Sequence, residues 1–218
     1  MEINFLGGYT MEIHELVVGP LKTNCYIVTS DMNHAVIIDP GFEAEKIAAK
    51  IKELGAKPKF MLLTHGHFDH IGAVNALKKT FPEIKSVILA EDEDICLNPG
   101  LINKEIGVVT KPDMLFADGD IVKLDDLDFR YMATPGHTKG GACIICGRKI
   151  FTGDTLFARG YGRTDLYGGS LRDMKLSLKK IGSLEGDYEL YPAHGSGSTL
   201  DLERYANPYL RKALGLGI

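Results

Sequence analysis

The segment Thr64-His65-Gly66-His67-Phe68-Asp69-His70 gathers three imidazoles and a carboxylate into one short stretch. Neutral imidazole nitrogen and carboxylate oxygen are donors that zinc, iron and manganese accept, so the segment carries the chemistry of divalent ions. Ahead of it, Phe60-Met61-Leu62-Leu63 reads as a short buried strand, and behind it Ile71-Gly72-Ala73-Val74-Asn75-Ala76-Leu77 reads as the start of a helix. Alternate residues of an extended backbone point to one side, which pairs His65 with His67. Asp69 and His70 can reach back across from the helix start. Two donor sets from one loop call for two metal ions rather than one.

A single histidine on a strand is ordinarily a core or surface residue without chemistry. Here five of the seven histidines fall in three places beside Gly or Pro turn residues, each after a strand-like run. The other two places are Ala133-Thr134-Pro135-Gly136-His137 and Tyr191-Pro192-Ala193-His194-Gly195. Between them Ile150-Phe151-Thr152-Gly153-Asp154-Thr155 is an apolar run that ends in a lone carboxylate. Core packing does not require four strand ends carrying His, Asp or both.

In this order and spacing THGHFDH, TPGH, FTGDT and AHG resemble the motifs of the metallo-β-lactamase superfamily of metal-dependent hydrolases, and the resemblance covers nearly the whole chain. It implies a first metal on His65, His67 and His137, a second on Asp69, His70 and His194, and Asp154 bridging the two. For Asp39, in Val36-Ile37-Ile38-Asp39-Pro40-Gly41, it implies a carboxylate oriented toward a liganding histidine rather than a mere turn former. The implied fold is a four-layer αββα sandwich of the α/β (α+β) class, two mixed sheets face to face with helices outside.

Two divalent ions a few ångströms apart lower the pKa of a bridging water from about 15.7 toward 7 and polarise a carbonyl, so no Ser, Cys or Thr nucleophile is needed. Asp69 and Asp154 are the carboxylates placed at that reacting centre. The thiolate-free donor set suits zinc and tolerates iron or manganese. Secreted β-lactamases of the superfamily commonly place a Cys in the second set; with Asp69, His70 and His194 there, antibiotic hydrolysis is not expected.

The flanks narrow the resemblance. Thr152-Gly153-Asp154-Thr155-Leu156-Phe157 is similar to glyoxalase II, which hydrolyses S-lactoylglutathione. Arg163 stands where glyoxalase II has a glutathione-binding Lys, keeps the positive charge, and could clamp a substrate carboxylate; the plainer reading is a solvated loop arginine or an ion pair with Asp165. Asp165 departs from the Tyr of that family, and no long helical domain is expected after the terminal helix. His194-Gly195-Ser196-Gly197-Ser198-Thr199 with Asn207-Pro208-Tyr209-Leu210 resembles the short bacterial glyoxalase-II-like hydrolases. The resemblance therefore implies a thioesterase acting on a hydroxyacyl thioester. The alternative is a mononuclear iron persulfide dioxygenase, which shares Gly162-Arg163-Thr164-Asp165 and would use His65, His137 and Asp154. Such enzymes usually follow the last His with Asp-Tyr, where this chain has Gly195-Ser196.

Composition bounds the rest. With 218 residues the chain is long enough for one domain with a large core, expected over residues 11–218, with 1–10 a loose extension. Hydrophobic content of 44% and charged content of 25% are ordinary for a globular protein. A net charge of -4 without a basic stripe argues against a nucleic-acid partner, and the resemblance implies a small-molecule substrate. No stretch approaches the roughly 20 apolar residues of a membrane span, and the first residues lack a basic start, so a cytoplasmic monomer or homodimer is expected. Cys143-Ile144-Ile145-Cys146 has metal-like spacing, but on a strand residues three apart face opposite ways, so they read as core.

In chain order, strands are expected over 12–18, 24–29 and 35–38, a helix over 43–54, then the metal strand and loop with a helix to Lys79. A strand over 86–90 follows, and Glu91-Asp92-Glu93-Asp94 reads as a solvated start of a short helix. Strand pairs 120–124 with 127–132 and 142–146 with 149–152 lead to His137 and Asp154. The amphipathic helix 170–181, the strand 188–191 and a helix 202–214 interrupted at Asn207-Pro208 complete the chain.

Overall fold

A computed structural model describes residues 11–102 and 109–217; the expected extension 1–10 lies outside them. Among the described residues twelve strands form two six-stranded sheets. The first holds, in spatial order, β1 (Glu12–Val18), β2 (Thr23–Thr29), β3 (His34–Ile38), β4 (Lys57–Leu62), β5 (Lys85–Leu89) and β6 (Met114–Phe116). The second runs β12 (Ser198–Thr199), β11 (Glu189–Pro192), β10 (Lys149–Gly153), β9 (Ala142–Cys146), β8 (Leu127–Ala133) and β7 (Ile121–Leu124). Both are mixed: hairpins give antiparallel pairs, and β3, β4, β5 and β6 run parallel, as do β10 and β11.

The layers follow from the period of two. In β3, Val36 and Ile38 enter the core between the sheets, whereas Ala35 and Ile37 enter the core under α1 (Ala44–Glu53) and α3 (Val74–Thr80). In β9, Ala142, Ile144 and Cys146 face the middle core, and Cys143 faces the core under α5 (Leu171–Gly182) and α7 (Pro208–Ala213). Cys143 and Cys146 therefore lie in different layers, as their spacing on a strand predicts. Three buried clusters separate four layers, and the αββα sandwich is the fold.

The sheets are tied together near the ends of β4, β8, β10 and β11. Asn24 in β2 donates from Nδ2 to the carbonyls of Pro192 and Gly195, both at 2.9 Å, and from its backbone to Ala193 at 2.7 Å. The Ala142 N–H donates to the Thr64 carbonyl at 2.9 Å. At a separate place His34 Nδ1 meets Asp125 at 2.8 Å, joining the turns β2–β3 and β7–β8.

The structure refines the expected elements. The helix expected after the metal loop is two: α2 (Phe68–Ile71), which contains Asp69 and His70, and α3. The break lies at Gly72-Ala73, where the Ala73 N–H turns to the Pro40 carbonyl at 2.9 Å, and a Cβ on Gly72 would strike the Gly41 carbonyl oxygen. The terminal helix also divides, into α6 (Leu200–Ala206) and α7, with Asn207 Oδ1 capping α7 through the N–H groups of Tyr209 and Leu210. Strands β6 and β12 were not expected, being edge strands too short to show a period. The acidic run is a correction: a 3-10 turn over Ala90–Asp92 precedes α4 (Glu93–Leu97), and Asp92 is wholly buried rather than solvated.

Candidate metal centre

Strand ends bring the chemistry to one place. After β4 the chain bends at Thr64 and His65 and is extended again at His67, which leads into α2 with Asp69 and His70. The loop after β8 supplies His137, the end of β10 supplies Asp154, and the loop after β11 supplies His194. Three overlapping donor groups result: His65, His67 and His137; His65, His70 and Asp154; Asp69, His70 and His194, each with ligand atoms within 4.8 Å of one another. All seven residues named from the motifs are in the cluster.

Asp154 lies between the two outer groups. Its Oδ2 is 3.3 Å from His137 Nε2, and its Oδ1 is 3.5 Å from His194 Nε2 and 3.6 Å from His70 Nε2. His194 Nε2 also lies 3.4 Å from Asp69 Oδ2. His137 Nε2 and His67 Nδ1 are 2.9 Å apart, two ring nitrogens turned toward one point.

The outer nitrogens are held from behind. Asp39 Oδ2 meets His70 Nδ1 at 2.9 Å and accepts from Thr64 Oγ1 at 2.7 Å, while Oδ1 accepts from the Thr64 N–H at 2.8 Å. Asp39 therefore stands behind His70, on the ring nitrogen opposite Nε2. His137 Nδ1 donates to the Arg163 carbonyl at 2.7 Å, so its Nε2 is left with a lone pair for a ligand. Thr23 Oγ1 donates to Asp69 Oδ2 at 3.2 Å. Further out, Glu203 is buried and accepts from the Arg159 N–H at 2.7 Å and Ser198 Oγ at 2.6 Å. Asn207 Nδ2 donates to the carbonyls of Phe157 and Gly160, and the Phe157 ring sits edge-on to His194 at 6.0 Å.

The donor atoms fit divalent ions. His65 Nε2, His67 Nε2, His70 Nε2 and Asp154 Oδ1 are buried and have no hydrogen-bond partner, a costly state that a cation relieves for the atoms that face it. Burial and the neighbouring imidazoles hold His65 well below its ordinary pKa, and His67 falls to about 3, so both are neutral, as ligation requires. Burial pulls His70 down as well, but the carboxylates of Asp69, Asp39 and Asp154 outweigh it and raise its pKa. Burial likewise opposes the ionisation of Asp69, and His70 and His194 overcome it, keeping Asp69 a carboxylate. Chelation is expected to lower Tm by about 10 °C, because loss of ions at a thousand times Kd removes about 4 kcal/mol. Thermal scans before chelation, after it, and after zinc is restored check this.

A cleft of about 410 Å³ opens onto the centre, walled by Leu21, Phe68, Ile102 and Leu166, with Arg163 at its side. The Arg163 guanidinium makes a bidentate pair with Asp165, at 2.7 and 2.8 Å, and both side chains are more than half exposed. Thr23, Asp92, Glu203 and the cleft residues Leu21, Phe68 and Leu166 are the parts that sequence reasoning missed. Of these only Asp92 had a signal, an acid in the run that follows a buried strand.

Residues 18–194 match the model of the metallo-β-lactamase superfamily, and the chain belongs to that superfamily. Hydroxyacylglutathione hydrolase GloC of Haemophilus influenzae is 38% identical over 211 residues, which cover 92% of this chain and 98% of that protein. Among solved structures, the BLEG-1 B3 metallo-β-lactamase shares 33% identity and a TM-score of 0.84 over 91% of this chain and 99% of its own. TTHA1623, crystallised in a di-iron-bound form, shares 32% identity and a TM-score of 0.79 over 90% and 99%. Among the described residues no helix is long and apolar enough to cross a membrane.

Proposed function

We propose that the chain is a binuclear metal-dependent thioesterase of glyoxalase II type, hydrolysing a hydroxyacyl ester of a small thiol. The observation that carries this is the position of Asp154, whose two oxygens face separate donor sets, as one carboxylate shared by two ions would. His65, His67 and His137 would hold the first ion; Asp69, His70 and His194 the second, with zinc the natural occupant of nitrogen and oxygen donors and iron compatible. Bound there, such ions supply Lewis acidity, polarising a thioester carbonyl and making water a nucleophile at neutral pH. The residues do the remainder. Asp69, held as a carboxylate by His70 and His194 against burial, accepts a hydrogen bond from the Thr23 hydroxyl at Oδ2 and would offer its negative charge to the second ion. Leu21, Phe68, Ile102 and Leu166 give the acyl chain an apolar wall and limit water. All four cysteines are buried, and none lines the cleft, so a covalent thiol route has no nucleophile.

The similarity to GloC supports this substrate class, and the full second donor set counts against a mononuclear dioxygenase, which needs only two His and one carboxylate. The test is metal content of protein purified without chelator, with assays on S-lactoylglutathione, glutathione persulfide and a β-lactam. Two ions per chain with thioester turnover support the proposal. One iron with oxygen uptake on the persulfide, or β-lactam hydrolysis without thioester turnover, overturns it.

Arg163 bears on the carrier. An exposed pair such as Arg163–Asp165 is worth little, so a substrate carboxylate can replace Asp165 as partner. Arg163→Ala keeps the backbone carbonyl that holds His137, so the metal centre should survive. It is expected to raise KM about 10-fold for a thioester of a carboxylate-bearing thiol, with kcat little changed. A neutral thioester should show almost no change. Equal losses on both substrates would show that Arg163 shapes the loop and reads no charge.

A further inference from the structure

We propose that Asp92 is the positioning residue of the three-histidine set, a strut whose single carboxylate sets the distance between the His65–His67 segment and His137. This rests on the ligand partition proposed above. The three histidines come from both sheets: His65 and His67 follow β4 of the first, and His137 follows β8 of the second. Ligands on separate layers hold a common point only if something fixes the gap between their loops.

Asp92 spans that gap. Its Oδ2 accepts from the N–H of Gly66, the residue between His65 and His67, at 2.9 Å, and from Oγ1 of Thr138, next to His137, at 2.7 Å. Its Oδ1 accepts from the Gly140 N–H at 2.6 Å, on the same loop as His137. The residue is 0% exposed, so water does not substitute for these three donors. Packing agrees with the bonding: a Cβ on Gly140 would come 2.6 Å from Asp92 N, and one on Gly66 would come 3.1 Å from the Asp92 carbonyl oxygen. Both loops are drawn against Asp92 as far as glycine allows. The second set is held by other groups, His70 by Asp39 and Asp69 by Thr23, and none of its members bonds to Asp92. A strut of this kind acts on one ion and leaves the other alone.

Asp92→Asn keeps the shape but turns an amide N–H₂ toward a backbone or hydroxyl donor, so one end of the strut loosens. Chelator competition against the zinc-loaded full chain should show the first site weakened about 10- to 100-fold, the range for lost support behind a ligand, with the second changed less than about 3-fold. In the cobalt-loaded chain, visible bands of the first ion should change while those of the second persist. Glu91→Gln, an exposed neighbour in the same acidic run, should behave as the parent. Thr138→Val removes one donor only and carries the test if Asp92→Asn does not fold; it should weaken the first site a few-fold with the same selectivity. Equal weakening of both sites, or unchanged zinc affinity in a folded Asp92→Asn or Thr138→Val chain, overturns the proposal. His137→Ala serves to separate the failures. If it leaves both zinc ions bound, the ligand partition is wrong; if it removes the first ion while the Asp92 variant does not, the partition stands and the strut is refuted.

Discussion

Asp154→Ala is expected to lower thioester turnover by about 10³-fold or more and to leave less than one tightly held ion per chain. The reason is that the two oxygens of this residue face both donor sets at once. Its Oδ2 sits 3.3 Å from His137 Nε2, and its Oδ1 sits 3.5 and 3.6 Å from His194 and His70. Alanine would leave each set with only its own donors and would remove the anion that offsets the charge of two neighbouring ions. The loss is not a folding effect: Asp154 Oδ1 has no hydrogen-bond partner in the protein, so nothing structural depends on that atom. The fold around the position is held by backbone, with the Gly162 N–H donating to the Asp154 carbonyl at 3.0 Å, which alanine retains. Elemental analysis, far-ultraviolet circular dichroism and turnover on one preparation decide the matter. Two ions retained in a folded Asp154→Ala protein would sink the shared-ligand assignment.

Gly41→Ala is expected to destabilise the protein by about 3 kcal/mol or more, the largest stability effect of a single added methyl anywhere near the site. A Cβ at this position would fall inside the Asp69 carbonyl oxygen, and a backbone atom at the head of α2 cannot rotate away as a flexible side chain can. The contact is reciprocal, since a Cβ on Gly72 would meet the Gly41 carbonyl. The turn after β3 and the short helix with Asp69 and His70 therefore lie backbone to backbone. Relief requires α2 to move, and with it the second donor set, so metal affinity there should fall together with stability. Urea unfolding should show a lower midpoint at an unchanged slope. An unchanged midpoint would mean the turn can shift without cost, and the close packing would have no mechanical role.

Much of the site was legible because each ligand lies beside its own local signal. A buried apolar run, a Gly or Pro turn and a His or Asp recur at residues 60–70, 133–137, 150–154 and 191–194, and the period of two places such residues at strand ends without knowledge of the partners. The same local rule separated Cys143 from Cys146 onto different layers. Where elements were too short to show a period, as in β6 and β12, the sequence had nothing to offer. The single helix expected after the metal loop failed for a different reason: its break depends on Pro40 and Gly41, far back in the chain, and on a contact no local propensity encodes.

Arg163 and Asp92 mark the boundary between the two kinds of information. Both are charged residues near the motifs, and the sequence treated one as a substrate clamp and the other as a solvated helix start. For Arg163 the structure shows the pair with Asp165 that the sequence offered as the plainer reading, and sets the residue exposed at the cleft. It buried Asp92 completely and put three donors around it from loops 26 to 48 residues distant. Residue type and spacing by themselves determined which atoms can bind metal, because ligand chemistry is a property of the side chain. Which atoms stand behind them was decided only when two sheets packed face to face, because a hydrogen bond across layers depends on three-dimensional distance, and separation along the chain does not report it.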